Sequence, residues 1–210
     1  AKRGLQGDQK LQDAKNNAKQ EIQNSTGLTD VQKQTLNNAI DQLTNRPSVS
    51  KKLQDAKYLN SKMEELKATI AKAPAIRQSS NYINEDTPEK ETYNNSINKG
   101  QSIIDAQTDP TLDGGAISNV ITEIDSAEKG LHGADKLQQA QNHAIIEVNG
   151  LDALNPAQKA KERDNILAAT NKSDITPQLE HAKALNQAME QLKQSIATKN
   201  ETLNSSNYIN

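Results

Sequence analysis

Apolar residues recur along this chain with the period of an α-helix. Leu11, Ala14, Ala18 and Ile22 share one face, which predicts a helix from about Asp8 to Asn24, and Gly27 breaks it. Thr29 followed by Gln32 reads as the capping box of a second helix, because the hydroxyl and the amide can each satisfy a backbone N–H that the helix itself leaves open. Beyond a short loop holding Pro47, a third stripe starts near Ser48 and keeps its spacing through Val49, Leu53, Ala56, Leu59, Met63, Leu66 and Ile70. At about 1.5 Å per residue, roughly 25 residues span about 38 Å. That is more than a small bundle can cover, so the helix is expected to close one bundle and open the next. Pro74 is expected to weaken its end. Thr87 and Pro88 then cap a helix carrying Tyr93, Ile97, Ile103 and Ile104, with Gly100 allowing close packing. A turn at 109–115 leads to a last helix bearing Ile117, Val120, Ile121, Ile124, Ala127 and Leu131, and it ends at Gly130–Gly133.

The pattern then repeats. At an offset of 126 residues, 1–84 lies over 127–210 without a gap, with roughly 40% of the pairs identical. Gly4, Leu5, Gly7, Lys10, Leu11 and Gln12 match Gly130, Leu131, Gly133, Lys136, Leu137 and Gln138. Leu59, Asn60, Met63, Glu64, Leu66, Lys67 and Ile70 match Leu185, Asn186, Met189, Glu190, Leu192, Lys193 and Ile196. The run SSNYIN occurs at Ser79–Asn84 and at Ser205–Asn210. The second helix starts alike in both copies, since Asn155, Pro156 and Gln158 form the same cap. Asn200 replaces Pro74 in the second copy, so the fold does not require the proline. The expected fold class is all-α, with tandem three-helix bundles joined end to end through long shared helices as an elongated rod. The expected divisions are 1–7 as the end of a preceding module, 8–57 as a short bundle, 58–133 as a longer one, 134–183 as a second short bundle, and 184–210 as a truncated start of the next.

Composition supports several thin cores in place of one thick one. Of 210 residues 33% are hydrophobic and 2% aromatic, with no Phe or Trp. Ala, Gln, Lys, Glu, Leu and Asn favour helix over strand. The 25 basic and 27 acidic residues are interspersed and leave a net charge of −2, which implies neither nucleic acid nor an anionic membrane. No uncharged apolar run is long enough to span a bilayer, and no signal peptide is visible. Ala1 reads as mid-sequence, so the chain is expected to be a piece of something longer. The absence of Cys removes disulfides, thiolate metal sites and a thiol nucleophile.

No catalytic constellation emerges, and the expectation is a non-enzyme without cofactor or metal. His132, His143 and His181 lack metal-ligand spacing, and in the other copy they are Gln6, Asn17 and Asp55. Glu64 and Glu65 point about 100° apart on a helix, and Gln191 stands for Glu65 in the second copy. Phosphate-cradling loops and nucleophile elbows are missing. Lys51, Lys52 and Lys57 sit among Asp55 and Glu64, which describes a solvated helix face better than a nucleic-acid surface. The SSNYIN run has two open readings. In one, Tyr82 packs on the bundle while Asn81 and Asn84 satisfy backbone groups. In the other, the run also touches a ligand, and the candidate contacts are Asn81, Tyr82, Asn84 and Tyr93.

The segments LNSKMEELKATI at Leu59–Ile70, LNQAMEQLKQSI at Leu185–Ile196, YNNSINKGQSIIDAQTDPTLD at Tyr93–Asp113, both SSNYIN runs and GLHG at Gly130–Gly133 together carry a resemblance. The whole chain resembles the alternating FIVAR and GA modules of giant staphylococcal extracellular matrix-binding proteins. The resemblance implies a cell-wall-anchored surface protein, FIVAR bundles at 58–133 and from 184, and GA bundles at 8–57 and 134–183. It also implies an adhesin that binds fibronectin or another matrix protein weakly per unit and gains strength through multivalency. The alternative is a structural rod or spacer with no dedicated ligand. GLTDVQKQTLNNAI at Gly27–Ile40 aligns with the albumin-contacting stretch of GA modules. Val31, Gln32, Lys33 and Gln34 stand there without an aromatic anchor, so albumin is not an expected partner. A monomer without membrane insertion is expected.

Overall fold

The structure is a computed structural model that describes residues 2–209, with side chains described from Gln6 onward. Ala1 and Asn210, the last residue of the second SSNYIN run, lie outside the described residues. Eleven α-helices and one 3-10 turn account for the regular structure, and no strand occurs among the described residues. The described residues form two compact units, one reaching to 77 and including 87–131, the other comprising 78–86 and the residues from 132 onward.

Unit 1 is organised by its longest helix. Helices α1 (Lys2–Gln23) and α2 (Asp30–Asp41) pack on the first half of α3 (Arg46–Ala71). Its second half packs against α6 (Thr87–Asp105) and α7 (Gly114–Lys129). One helix thus serves two bundles, as its stripe predicts. Val49 and Ala56 close the first core with Ala18, Ile22, Leu36 and Ile40. Met63 and Leu66 close the second with Tyr93, Ile97, Ile117 and Ile124. Gly100 eases the crossing of α6 over α3: a Cβ there would stand 3.0–3.2 Å from methyl groups of Ile70, Leu66 and Ile124, each of which would have to yield by a few tenths of an ångström.

The capping chemistry is as expected. The Gln32 backbone N–H donates to the Thr29 hydroxyl, and the Thr29 N–H donates to the Gln32 side-chain carbonyl at 2.9 Å. The remaining Gln32 amide N–H donates to the Thr111 carbonyl at 2.8 Å, tying α2 to the loop before α7. Helix α3 starts two residues earlier than the stripe suggests, at Arg46, because Asn45 supplies the cap and Pro47 suits the first turn. It stops at Ala71. Pro74 has no N–H to offer the Ile70 carbonyl, and the chain continues as the short helix α4 (Ala73–Arg77). In the second copy, with Asn200 there, the helix runs on to Leu203.

Unit 2 contains α8 (Gly133–Asn149), α9 (Pro156–Ala168), the 3-10 turn Lys172–Asp174, α10 (Ile175–Leu203) and the short α11 (Ser206–Ile209). Ala144, Val148, Ile166, Ile175 and Ala182 form its core. They are the repeat counterparts of Ala18, Ile22, Ile40, Val49 and Ala56. The small helix α5 (Ser80–Ile83) also belongs to unit 2 and lies on α8. The sequence pattern does not show α4 or α5, since each is too short to develop a stripe.

One difference concerns the first helix. It begins at Lys2, well ahead of Asp8, and runs through Gly4–Gly7, whereas the matching Gly130–His132 is a break before α8. The break has a local cause, because the His132 backbone N–H donates out of the helix direction to the Glu85 carboxylate.

The two copies of the long helix provide an internal control. Leu66 is fully buried, while its counterpart Leu192 is 50% exposed, because no counterparts of α6 and α7 follow within these 210 residues. Replacing Leu66 by Ala is expected to cost about 2–5 kcal/mol, and replacing Leu192 by Ala less than about 0.5 kcal/mol. Urea denaturation followed by circular dichroism measures both, and equal costs would refute the shared-helix packing.

Candidate functional site

The richest polar arrangement in the molecule lies inside unit 2, where residues 78–86 dock on the three-helix bundle of 134–183. The Ser79 hydroxyl caps α5 by accepting from the Tyr82 N–H, which fixes a compact turn in the run SSNYIN. The turn aims both asparagines at backbone. The Asn84 amide donates to the Thr170 carbonyl at 3.1 Å and its carbonyl accepts from the Lys172 N–H at 2.6 Å. The Asn81 carbonyl accepts from the Ala134 N–H at 3.3 Å. Close approach requires Gly133. A Cβ there would run into the Asn81 backbone carbonyl oxygen and stand 2.5 Å from the Glu85 nitrogen.

Charge completes the docking. Glu85 is buried and accepts from the backbone N–H groups of Asp86 and His132 and from the Lys136 ammonium. The exposed Asp86 bridges Lys136 at 2.6 Å and Lys172 at 2.7 Å. Burial pushes the Glu85 carboxyl up. The hydrogen bonds from Lys136, Asp86 N–H and His132 N–H together outweigh that and hold it below its ordinary value. Hydrogen bonds from Lys136 and then Lys172 bring Asp86 down from 3.8 to about 2. Lys136 is raised by its hydrogen bonds to Asp86 and Glu85. A buried carboxylate with this many donors is well satisfied, and removing a donor would leave the charge enclosed without compensation.

The four candidate contacts fall in different surroundings. Asn81, Tyr82 and Asn84 come together on α5 in unit 2. Asn84 is buried with its side-chain amide committed to Thr170 and Lys172, and Tyr82 is half-buried. Tyr93 is in the core of unit 1 at 0% exposure and presents no surface to a ligand. Sequence reading missed Glu85 and Asp86. Their repeat positions would fall past residue 210, so self-comparison had nothing to match them with. The signal available was Lys136, which recurs as Lys10.

All three histidines are exposed, and His181 Nδ1 lies 3.2 Å from the buried Glu162 carboxylate. Lys51 faces Asp55 at 3.4 Å and Lys57 pairs with Glu21, as on a charge-dressed helix face. The carbonyl of Asn60 accepts from the Gly27 N–H at 2.8 Å, and Asn186 accepts from the Ala153 N–H at 2.9 Å. This latch therefore recurs in both copies. No described helix is long and apolar enough to cross a membrane.

Because Glu85 and Asp86 both titrate below their ordinary values, the stability they add is fully present above the unfolded carboxylate range. The Asp86 part is lost as pH falls from about 3.8 through about 2, and the Glu85 part as pH falls below the ordinary carboxylate range. The expected outcome is release of residues 78–86 in acid before the helices melt, seen as movement of the His132 and Lys172 amide resonances. Lys136→Met should shift that release upward toward the ordinary carboxylate range. Gly133→Ala should displace the segment already at neutral pH, read as faster proteolysis within 78–86.

Comparison with known proteins places this arrangement. The sequence model of the GA module matches residues 8–62 and 134–188, and that of the FIVAR domain matches 62–132 and 188–210. Over all 210 residues the chain is 34% identical to the extracellular matrix-binding protein ebh of Staphylococcus aureus strain MRSA252 and to EbhA of strain Mu50. It spans only 2% and 3% of the length of those relatives. A solved structure from work on Embp-mediated adherence of Staphylococcus epidermidis to fibronectin is 57% identical, with a TM-score of 0.58, over 60% of this chain and 99% of that one. The 756–1003 domain of EbhA from Staphylococcus aureus shares the fold at a TM-score of 0.75 and 24% identity, over 83% of this chain and 72% of that one. GA modules alone take up more than half of these residues, FIVAR domains most of the rest, and the chain belongs to the extracellular matrix-binding protein family of alternating GA and FIVAR modules.

Proposed function

We propose that this chain is a repeat segment of a bacterial cell-surface adhesin, cell-wall-associated in its full-length form, that binds fibronectin or a similar matrix protein weakly per unit. In this reading 8–57 and 134–183 are GA-like bundles, 58–133 is a FIVAR-like bundle, and 184–210 opens another. The observation that carries it is the 57% identity with a domain studied for fibronectin adherence, of which this chain covers 99%. The helix surfaces fit the proposal, because they mix charges of both signs and offer few large aromatic anchors. A single unit then holds its ligand loosely and an array supplies the strength. The stretch from Gly27 to Ile40 keeps Val31 half-buried and Gln32 buried, with no aromatic residue, and supports no albumin contact. The matched families are module families of matrix-binding proteins and not enzyme families, in line with a non-catalytic role.

A spacer reading is favoured by one specific observation. Helix α3 is common to two bundles, and Gln32 links α2 to the loop at Thr111, so neighbouring modules in unit 1 are mechanically continuous. Immobilised fibronectin separates the two readings. The adhesin reading expects weak, saturable binding of this chain, strengthened about 10²- to 10⁴-fold when several repeats are joined, and no binding to serum albumin. Absence of binding by both the single and the joined repeats would leave the spacer.

A further inference from the structure

The two GA modules of this chain present one face in two states. In unit 2 the face is filled by residues 78–86. In unit 1 the equivalent face is an open groove of about 730 Å³ whose walls include Gly7, Leu11, Ala14, Thr44 and Arg46. Shifted by one repeat, Gly7, Thr44 and Arg46 become Gly133, Thr170 and Lys172, the residues that the docked segment touches, and Lys10 becomes Lys136. The side-chain and loop part of the receptor half, at Gly7, Lys10, Thr44 and Arg46, is therefore present twice and used once within these residues, while the counterparts of the His132 and Ala134 N–H groups, at Gln6 and Asp8, lie inside α1.

Gly7 is the telling residue. It lies inside α1, where glycine weakens a helix relative to alanine, and nothing stands within 4 Å of the place its Cβ would occupy. No neighbour in unit 1 explains it. At Gly133 the same absence of a side chain admits the backbone of Asn81, Asn84 and Glu85. Arg46 adds a second sign, because its N–H is the first of α3 and has no acceptor within that helix, whereas the Lys172 N–H is taken by Asn84. The start of the docked segment, Ser-Ser-Asn-Tyr-Ile, recurs as well. At 205–209 the run carries Tyr208 at 64% and Ile209 at 67% exposure.

We propose that the groove of the first GA module is a receptor for the Ser-Ser-Asn-Tyr-Ile-Asn-Glu-Asp segment of another copy of this repeat. Gly7 admits its backbone, Thr44 and Arg46 take its second asparagine, and Lys10 and Arg46 meet its two carboxylates. Repeats would then be clasped head to tail by the contact that unit 2 makes within itself. A free peptide lacks the tether that raises the local concentration of residues 78–86, so it binds more weakly than the tethered segment docks.

The test is titration of the isotope-labelled 210-residue chain with a blocked peptide of sequence Gln78–Asp86, read from backbone amide resonances. Saturable shifts at Gly7, Lys10, Thr44 and Arg46 are expected, with Gly133, Lys136 and Lys172 unmoved because their groove is already filled. A Gly7→Ala chain should fold at least as stably by circular dichroism and lose those shifts. A scrambled peptide should cause none. The proposal is overturned by silence of the four amides at millimolar peptide, by shifts that persist unchanged in Gly7→Ala, or by equal shifts with the scrambled sequence.

Discussion

A three-helix bundle of this size has little interior, and the chain answers that constraint by making one helix serve two bundles. The buried stripe on α3 runs from Val49 to Thr69, so each half supplies one wall of a separate core. Neither core would be complete without it, and the helix would be an exposed apolar strip without both. Most of the remaining packing follows from this arrangement. Gly100 lets α6 approach α3, Gly114 lies against the ring of Tyr58, and Gln32 reaches from its own cap to the loop that precedes α7.

The interiors are built almost without aromatics. Tyr93 is the one aromatic side chain that is fully buried among the described residues, and the rest of the packing is Leu, Ile, Val, Ala and Met. Interiors of small side chains close only when helices run near one another, which explains why glycines stand at the tightest crossings. Stability in such thin cores has to be supplemented at the ends of helices. Two capping boxes, the Asn60 and Asn186 latches and the carboxylate cluster at Glu85 and Asp86 all satisfy backbone or charge where helices stop.

The family relation and the polar architecture meet at the docked segment. SSNYIN stands out in the sequence because it recurs, and in the structure it acts as a clasp, with its asparagines and the following two acids holding the bundle of 134–183. In the proposed reading, binding strength comes from repetition of modest surfaces along an array.

The sequence by itself determined the all-α class, the long helices and the repeat that orders them. Apolar period, cap residues and the 126-residue repeat are local properties, legible wherever Leu59, Met63 and Leu66 fall on one face or Thr29 precedes Gln32. Only tertiary structure decided which identical residues are buried. Leu66 is buried because α6 and α7, distant along the chain, come to cover the second half of α3, and nothing in the sequence next to Leu66 shows this. The same holds for the docked segment. Glu85, Asp86, Lys136 and Lys172 are each ordinary surface charges in sequence, and their pairing across about 50 or more residues exists only once Gly133 has let the backbone of α5 come close.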